Sequence, residues 1–132
     1  MAAGQAVISY PVPATAGVST TAAASSGVTL TIAAAAAGLF NYLVYLEIIL
    51  VVATTVTGAA TPIAVTSTGI TGTPTYYLAN GTSAVVGALL DRIVMSPSNP
   101  IKGSAAATSM TFVAPVVTGA IWGLRAYSYV DT

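Results

Sequence analysis

The chain has 132 residues, 55% of them hydrophobic, and carries three basic and three acidic residues with no His and no Cys. That inventory excludes disulfide scaffolds, thiolate or imidazole metal centres and Ser-His-Asp or Cys-His nucleophile systems for want of parts. It also excludes a basic nucleic-acid surface, because three cations at zero net charge do not neutralise a phosphate track.

Residues 1–27 hold two Pro, three Gly and many Ala, Ser and Thr. Their apolar anchors are Val7, Ile8, Tyr10 and Val12. This composition predicts an extended N-terminal arm, and the start of the chain has no basic n-region of the kind that opens a secretory signal. Such an arm is suited to adding to a neighbour's sheet edge. From residue 28 onward the sequence reads as β almost throughout. Thr and Val recur, both stiff at χ1 and both suited to a pleated surface. Val28–Ile32 alternates cleanly and predicts a strand. The Ala33–Ala37 run is short and ends at Gly38, so it reads as a loop. Tyr42–Thr55 predicts one long strand or two with a bulge, its weak alternation implying that both faces are covered. Pro62–Thr68 and Thr73–Leu78 follow as strands. Asn80-Gly81 carries the composition of a tight hairpin turn. Val85–Met95 predicts a strand broken at Gly87, Ser96–Pro100 a loop, and Ala105–Val113 and Ala120–Val130 the last two strands.

A membrane helix is not expected. The most apolar stretch, 39–53, runs to 15 residues where a span needs about 20, and Asn41 and Glu47 interrupt it.

The charges are few enough to take singly. Glu47 lies inside the most apolar stretch, which predicts a paired carboxylate, with Arg92 or Arg125 as the partner or with a group across a symmetric subunit interface. Glu47 and Asp91 as a glycosidase pair lack any supporting spacing. No phosphate loop, metal cluster or cofactor motif is present, so a non-enzyme without a cofactor is expected. Seven of the ten aromatics are Tyr, a residue suited to surfaces that are apolar on one side and polar on the other. Tyr127 and Tyr129 share one strand face.

Three segments carry a family resemblance: Gly38-Leu-Phe-Asn-Tyr-Leu-Val-Tyr-Leu-Glu-Ile48; Ala60-Thr-Pro-Ile-Ala-Val65 with Gly72-Thr-Pro-Thr-Tyr76; and Asn99-Pro-Ile-Lys-Gly-Ser-Ala-Ala-Ala-Thr108 with Thr118-Gly-Ala-Ile-Trp-Gly-Leu-Arg-Ala-Tyr127. Their pattern resembles the TNF-like jelly-roll structural proteins of tailed bacteriophages. The resemblance implies head decoration or cement proteins, commonly trimeric, or tail and fibre modules. The extreme lack of charge departs from that pattern.

Residues and resemblance together predict an all-β, antiparallel jelly-roll β-sandwich of about eight strands over residues 28–132, preceded by the arm. The expected role is a capsid decoration or cement protein on the outer surface of a virion. Its expected partners are copies of itself, as a trimer, and the major capsid protein, with neither nucleic acid nor membrane. The arm residues Val7, Ile8, Tyr10 and Val12 are the candidate capsid contacts. Tyr42, Tyr45, Glu47, Trp122, Tyr127 and Tyr129 are the candidate oligomer contacts. The alternative is a tail or fibre module that binds a host receptor or glycan.

Overall fold

A computed structural model describes residues 15–132. Nine strands appear in chain order: β1 (Ala16–Thr21), β2 (Val28–Ile32), β3 (Phe40–Val52), β4 (Ile63–Thr68), β5 (Tyr76–Leu78), β6 (Leu89–Met95), β7 (Ile101–Lys102), β8 (Met110–Ala114) and β9 (Ala120–Asp131). One sheet has the order β1-β9-β3-β6, with β7 also on β3, and the other has the order β2-β8-β4-β5. Every pairing is antiparallel. With the two-residue β7 set aside, the chain passes back and forth between the sheets in the interleaved order of an eight-stranded jelly roll. Among the described residues no helix is long and apolar enough to cross a membrane.

Alternation builds the core. Leu43, Leu46, Ile48, Leu50 and Val52 of β3 point inward, as do Trp122, Leu124 and Ala126 of β9. They meet Leu30 and Ile32 of β2, Ile63 and Val65 of β4 and Met110 and Phe112 of β8. Period-two alternation puts these residues on one face of each strand. On β9 the inward positions either side of Trp122 are Ala120 and Leu124, both buried. The indole does not lose its polar contact on burial, because Nε1 donates to the Pro115 carbonyl at 2.7 Å.

β3 is a single strand of 13 residues. Its register against β9 shifts between Leu43 and Tyr45. This β-bulge is why the sequence does not alternate cleanly. The inward residues are fully buried and the outward ones only partly, which refines the expectation that both faces are covered.

Other expectations change. Residues 16–21, assigned to the arm, form β1 and pair with β9 of the same chain over all six residues. Their Ser and Thr content suits an edge strand with one solvated face. Asn80-Gly81 makes no hairpin turn: neither residue has a positive φ. Instead Asn80 Nδ2 donates to the Thr61 carbonyl at 3.1 Å, and the Asn80 carbonyl accepts from Ala59 N at 3.1 Å, tying two long connections together. The strand expected from residue 105 starts at Met110, since Ala107 has φ 52° and its N–H bonds Leu39 O. The strand expected from residue 85 starts at Leu89, because Gly87 (φ 81°) turns the chain just before it. Ala33–Ala37 is loop, as expected.

Trp122→Ala removes the largest fully buried side chain. It is expected to cost about 3–5 kcal/mol, measured as a lowered midpoint of urea unfolding with the slope unchanged.

Candidate functional site

The two outer faces of the sandwich differ in chemistry. On the β2-β8-β4 sheet the register lines up Thr31, Thr111 and Thr68 in one row and Thr29, Val113 and Thr66 in the next. That face carries hydroxyls and methyls and no charge.

The other face is aromatic and charged. The bulge in β3 places Tyr42 opposite Tyr129 and Tyr45 opposite Tyr127, although the β3 pair is three residues apart and the β9 pair two. Tyr42 and Tyr129 stack with ring centroids 5.0 Å apart and planes 9° from parallel. Tyr45 and Tyr127 meet edge to face at 5.7 Å and 60°. Both are favoured aromatic geometries. Tyr42 Oη also donates to the Thr132 carbonyl at 2.8 Å, which fixes the last strand's end. Gly17 on β1 lies where any Cβ would run into the Tyr127 ring, 2.6 Å from Cε1, so the edge strand lets that ring lie flat against it.

Glu47 is at the centre. It pairs with Arg125 on β9 in register, and Oε1 lies 3.1 Å from Arg125 Nη2. Oε2 accepts from Arg92 Nε at 3.0 Å and from Arg92 Nη2. Tyr45 Oη donates a longer bond to Oε2 at 3.4 Å. The Arg125 guanidinium carbon is 5.6 Å and 5.9 Å from the Tyr45 and Tyr127 ring centroids, within cation–π range. Lys102 Nζ lies 4.0 Å over the Phe40 ring at the far end of the same sheet. The hydrogen bonds from Arg92, opposed by partial desolvation and aided by the charges of both guanidinium groups, hold the Glu47 carboxyl below its ordinary pKa. A carboxyl held ionised in this way is a structural anion and a poor proton donor. Asp91 is engaged elsewhere, accepting from Ala79 N at 2.6 Å and from Arg92 N at 2.8 Å.

The sequence-predicted residues therefore divide into three sets. Tyr42, Tyr45, Glu47, Tyr127 and Tyr129 gather on one face. Trp122 does not join them: it has the opposite parity on β9 and is 0% exposed in the core. Val7, Ile8, Tyr10 and Val12 lie outside the described residues. Sequence reasoning named Arg92 or Arg125 as the partner of Glu47, and the structure brings both. It missed the Lys102–Phe40 contact, which depends on the short pairing of β7 with β3. A groove of about 580 Å³ opens elsewhere, between Thr55, Pro62, Asn80, Val116 and Thr118. Neutral side chains line it. Among the described residues no three His, Cys, Asp or Glu side chains gather as a metal site.

Comparison with protein-family models, with curated proteins and with solved structures finds no match to this chain.

Because the folded-state pKa of Glu47 is depressed, its stabilising contribution is complete above the unfolded carboxylate value of about 4.3 and is lost as the pH falls through the folded value. Glu47→Gln is therefore expected to be less stable than the parent at neutral pH. Denaturation midpoints measured from pH 7 downward should show the two proteins converging below about pH 4.

Proposed function

We propose that the protein is a virion structural protein: a capsid decoration or cement protein that assembles as a homotrimer on the outer surface of a phage head. The observation that carries this reading is the face centred on Glu47. Four tyrosines and an ion-paired carboxylate are arranged there in fixed geometry, and no catalytic group accompanies them among the described residues. Such a surface, rich in Tyr and Arg, has the composition of an interface core. The jelly-roll topology and the sequence resemblance to phage head proteins support the same reading.

The role is mechanical. Copies bury their tyrosine faces within the trimer, and the trimer bridges neighbouring capsid subunits. Burial of about 1,000 Å² per subunit gives about 25 kcal/mol gross at 25 cal/mol per Å², and association entropy offsets much of that. The segment before β1, with Val7, Ile8, Tyr10 and Val12, is assigned to the major capsid protein. The sandwich keeps β1, so a deletion that probes this segment must end before Ala16.

The test is rebinding of the recombinant chain to particles stripped of it, with stoichiometry read by quantitative gel. Binding that scales with the number of capsid subunits is the expected result, and removal of residues 1–14 is expected to weaken it. Binding confined to the tail, at a dozen copies or fewer, overturns the head assignment in favour of a receptor- or glycan-binding tail module.

A further inference from the structure

Asn80-Gly81 makes no hairpin turn, and its chemistry plays no part in the tyrosine face. An Asn followed by Gly is prone to lose its side-chain nitrogen as ammonia. The next residue's backbone nitrogen attacks the side-chain amide, and glycine has no Cβ to obstruct the approach. Asn is thermolabile on this account. The chain has three Asn, and two of them are closed to this route. Asn41 is 2% exposed, and its Nδ2 donates to the Ala33 and Thr108 carbonyls at 2.9 and 3.2 Å. Asn99 precedes Pro100, which has no N–H to give up. Asn80 is half-buried and Gly81 is exposed. The space around Gly81 is open, since a Cβ built there meets nothing within 4 Å. Among the described residues Gly81 N donates to no acceptor.

The site sits where a change is felt. Residues 53–62 connect β3 to β4, and residues 79–88 connect β5 to β6. The two connections are clasped together. Val56 and Ser83 exchange both backbone bonds, at 2.7 and 2.9 Å. Gly58 N donates to Thr82 Oγ1 at 2.8 Å. Ala59 N donates to the Asn80 carbonyl at 3.1 Å, and Asn80 Nδ2 donates to the Thr61 carbonyl at 3.1 Å. The backbones also touch: a Cβ on Gly58 would lie 2.5 Å from the Asn80 carbonyl oxygen and 2.8 Å from Gly81 C. The clasp therefore has no slack at residues 80 and 81.

We propose that Asn80 is a self-modification site: in the folded chain it deamidates through a cyclic imide with Gly81, and the product loosens the clasp. The Gly81 amide gives its proton to solvent base, and its nitrogen bonds to Asn80 Cγ. The Cγ–Nδ2 bond breaks, and Nδ2 leaves as ammonia after taking a proton from water. Water then opens the imide. Cleavage between Gly81 N and Cγ yields an aspartyl residue. Cleavage between Gly81 N and the main-chain carbonyl carbon yields the isoaspartyl form, whose main chain runs through the side chain and is longer by one methylene. Either product loses the Nδ2 donor to Thr61, and the aspartyl form sets a carboxylate oxygen against that carbonyl. The isoaspartyl main chain must also pass Gly58, where the backbones already touch. The groove that Asn80 lines with neutral neighbours such as Thr55 and Pro62 gains a charge. The inference stands apart from the proposed function and goes beyond it.

Incubation of the folded full chain at mildly alkaline pH tests it, read by intact mass and peptide mapping. The parent is expected to gain one dalton per chain, mapped to residue 80 as a mixture of aspartyl and isoaspartyl peptides. Isoelectric focusing should show the formal charge fall by one from its starting value of zero. Gly81→Ala has room for its Cβ and needs no positive φ, so it keeps the fold and is expected to slow the gain several-fold by obstructing the attack. The modified chain, separated by ion exchange, is expected to unfold at lower urea than the parent, as is Asn80→Asp. If the folded chain stays unmodified while the urea-unfolded chain is converted, or Gly81→Ala converts at the parent's rate, the site is wrong. If the modified chain and Asn80→Asp both keep the parent's unfolding midpoint, the clasp is not loosened and that half of the inference falls.

Discussion

The pairing of β3 with β9 is the constraint on which the rest depends. These are the two longest strands, and their register runs from Phe40 opposite Asp131 to Val52 opposite Ala120. They lie side by side in the middle of their sheet. Their inward residues form the floor of the core, and their outward residues form most of the tyrosine face. Core and candidate site are thus two sides of one ladder. Side chains on β3 and β9 therefore serve packing or surface chemistry according to parity.

The bulge near Leu43–Tyr45 makes that division work. Strict alternation continued from Tyr42 would send residues 44, 46 and 48 outward and turn Glu47 into the apolar core. A carboxylate there would leave its two arginines in solvent and pay the full desolvation cost. The one-residue shift puts Leu46, Ile48 and Leu50 inside, at 0% exposure, and Tyr45 and Glu47 outside. It also aligns Tyr45 with Tyr127, so the same irregularity creates the second aromatic pair.

These facts bear on how much was legible in the sequence. Val28–Ile32 alternates in hydrophobicity and its strand lies where that pattern puts it, and strands also occupy the expected Pro62–Thr68 and Ala120–Val130 segments. The class of fold follows from such segments and the Thr and Val content. A bulge has no comparable signature, because one inserted residue looks like a lapse in the pattern. Phase was thus readable on either side of residue 44 but not across it. Trp122 shows the related difficulty. Counting by twos from Tyr127 places it on the opposite face, yet its aromatic character alone suggests an interface. The strand within residues 16–21 is silent for a different reason. Ala16–Thr21 has too little apolar content to announce a strand, and its place comes from the edge of β9 that it satisfies. Asn80-Gly81 illustrates the converse, a strong local turn signal overridden by the hydrogen bonds of the surrounding connections.

The low charge of the chain acquires a spatial meaning once the faces are separated. The threonine face needs no charge to stay hydrated, because hydroxyls on adjacent strands satisfy water. Thr68 and Thr111 even pair with each other across the strands. Three of the six charges, Glu47, Arg92 and Arg125, are concentrated instead beside the aromatics, and there they are mutually bonded. An Arg held by Glu47 and by two tyrosine rings has already lost much of its rotamer freedom and part of its hydration. Little of that cost would remain to be met in any binding event that excluded the rest of the water. A face ordered in this way is rigid, whereas a solvated patch of long, free lysines would not be. The ion triad thus has two consequences from one arrangement. It keeps a carboxylate tolerable beside an apolar strand, and it holds two arginines and the neighbouring tyrosines in one geometry.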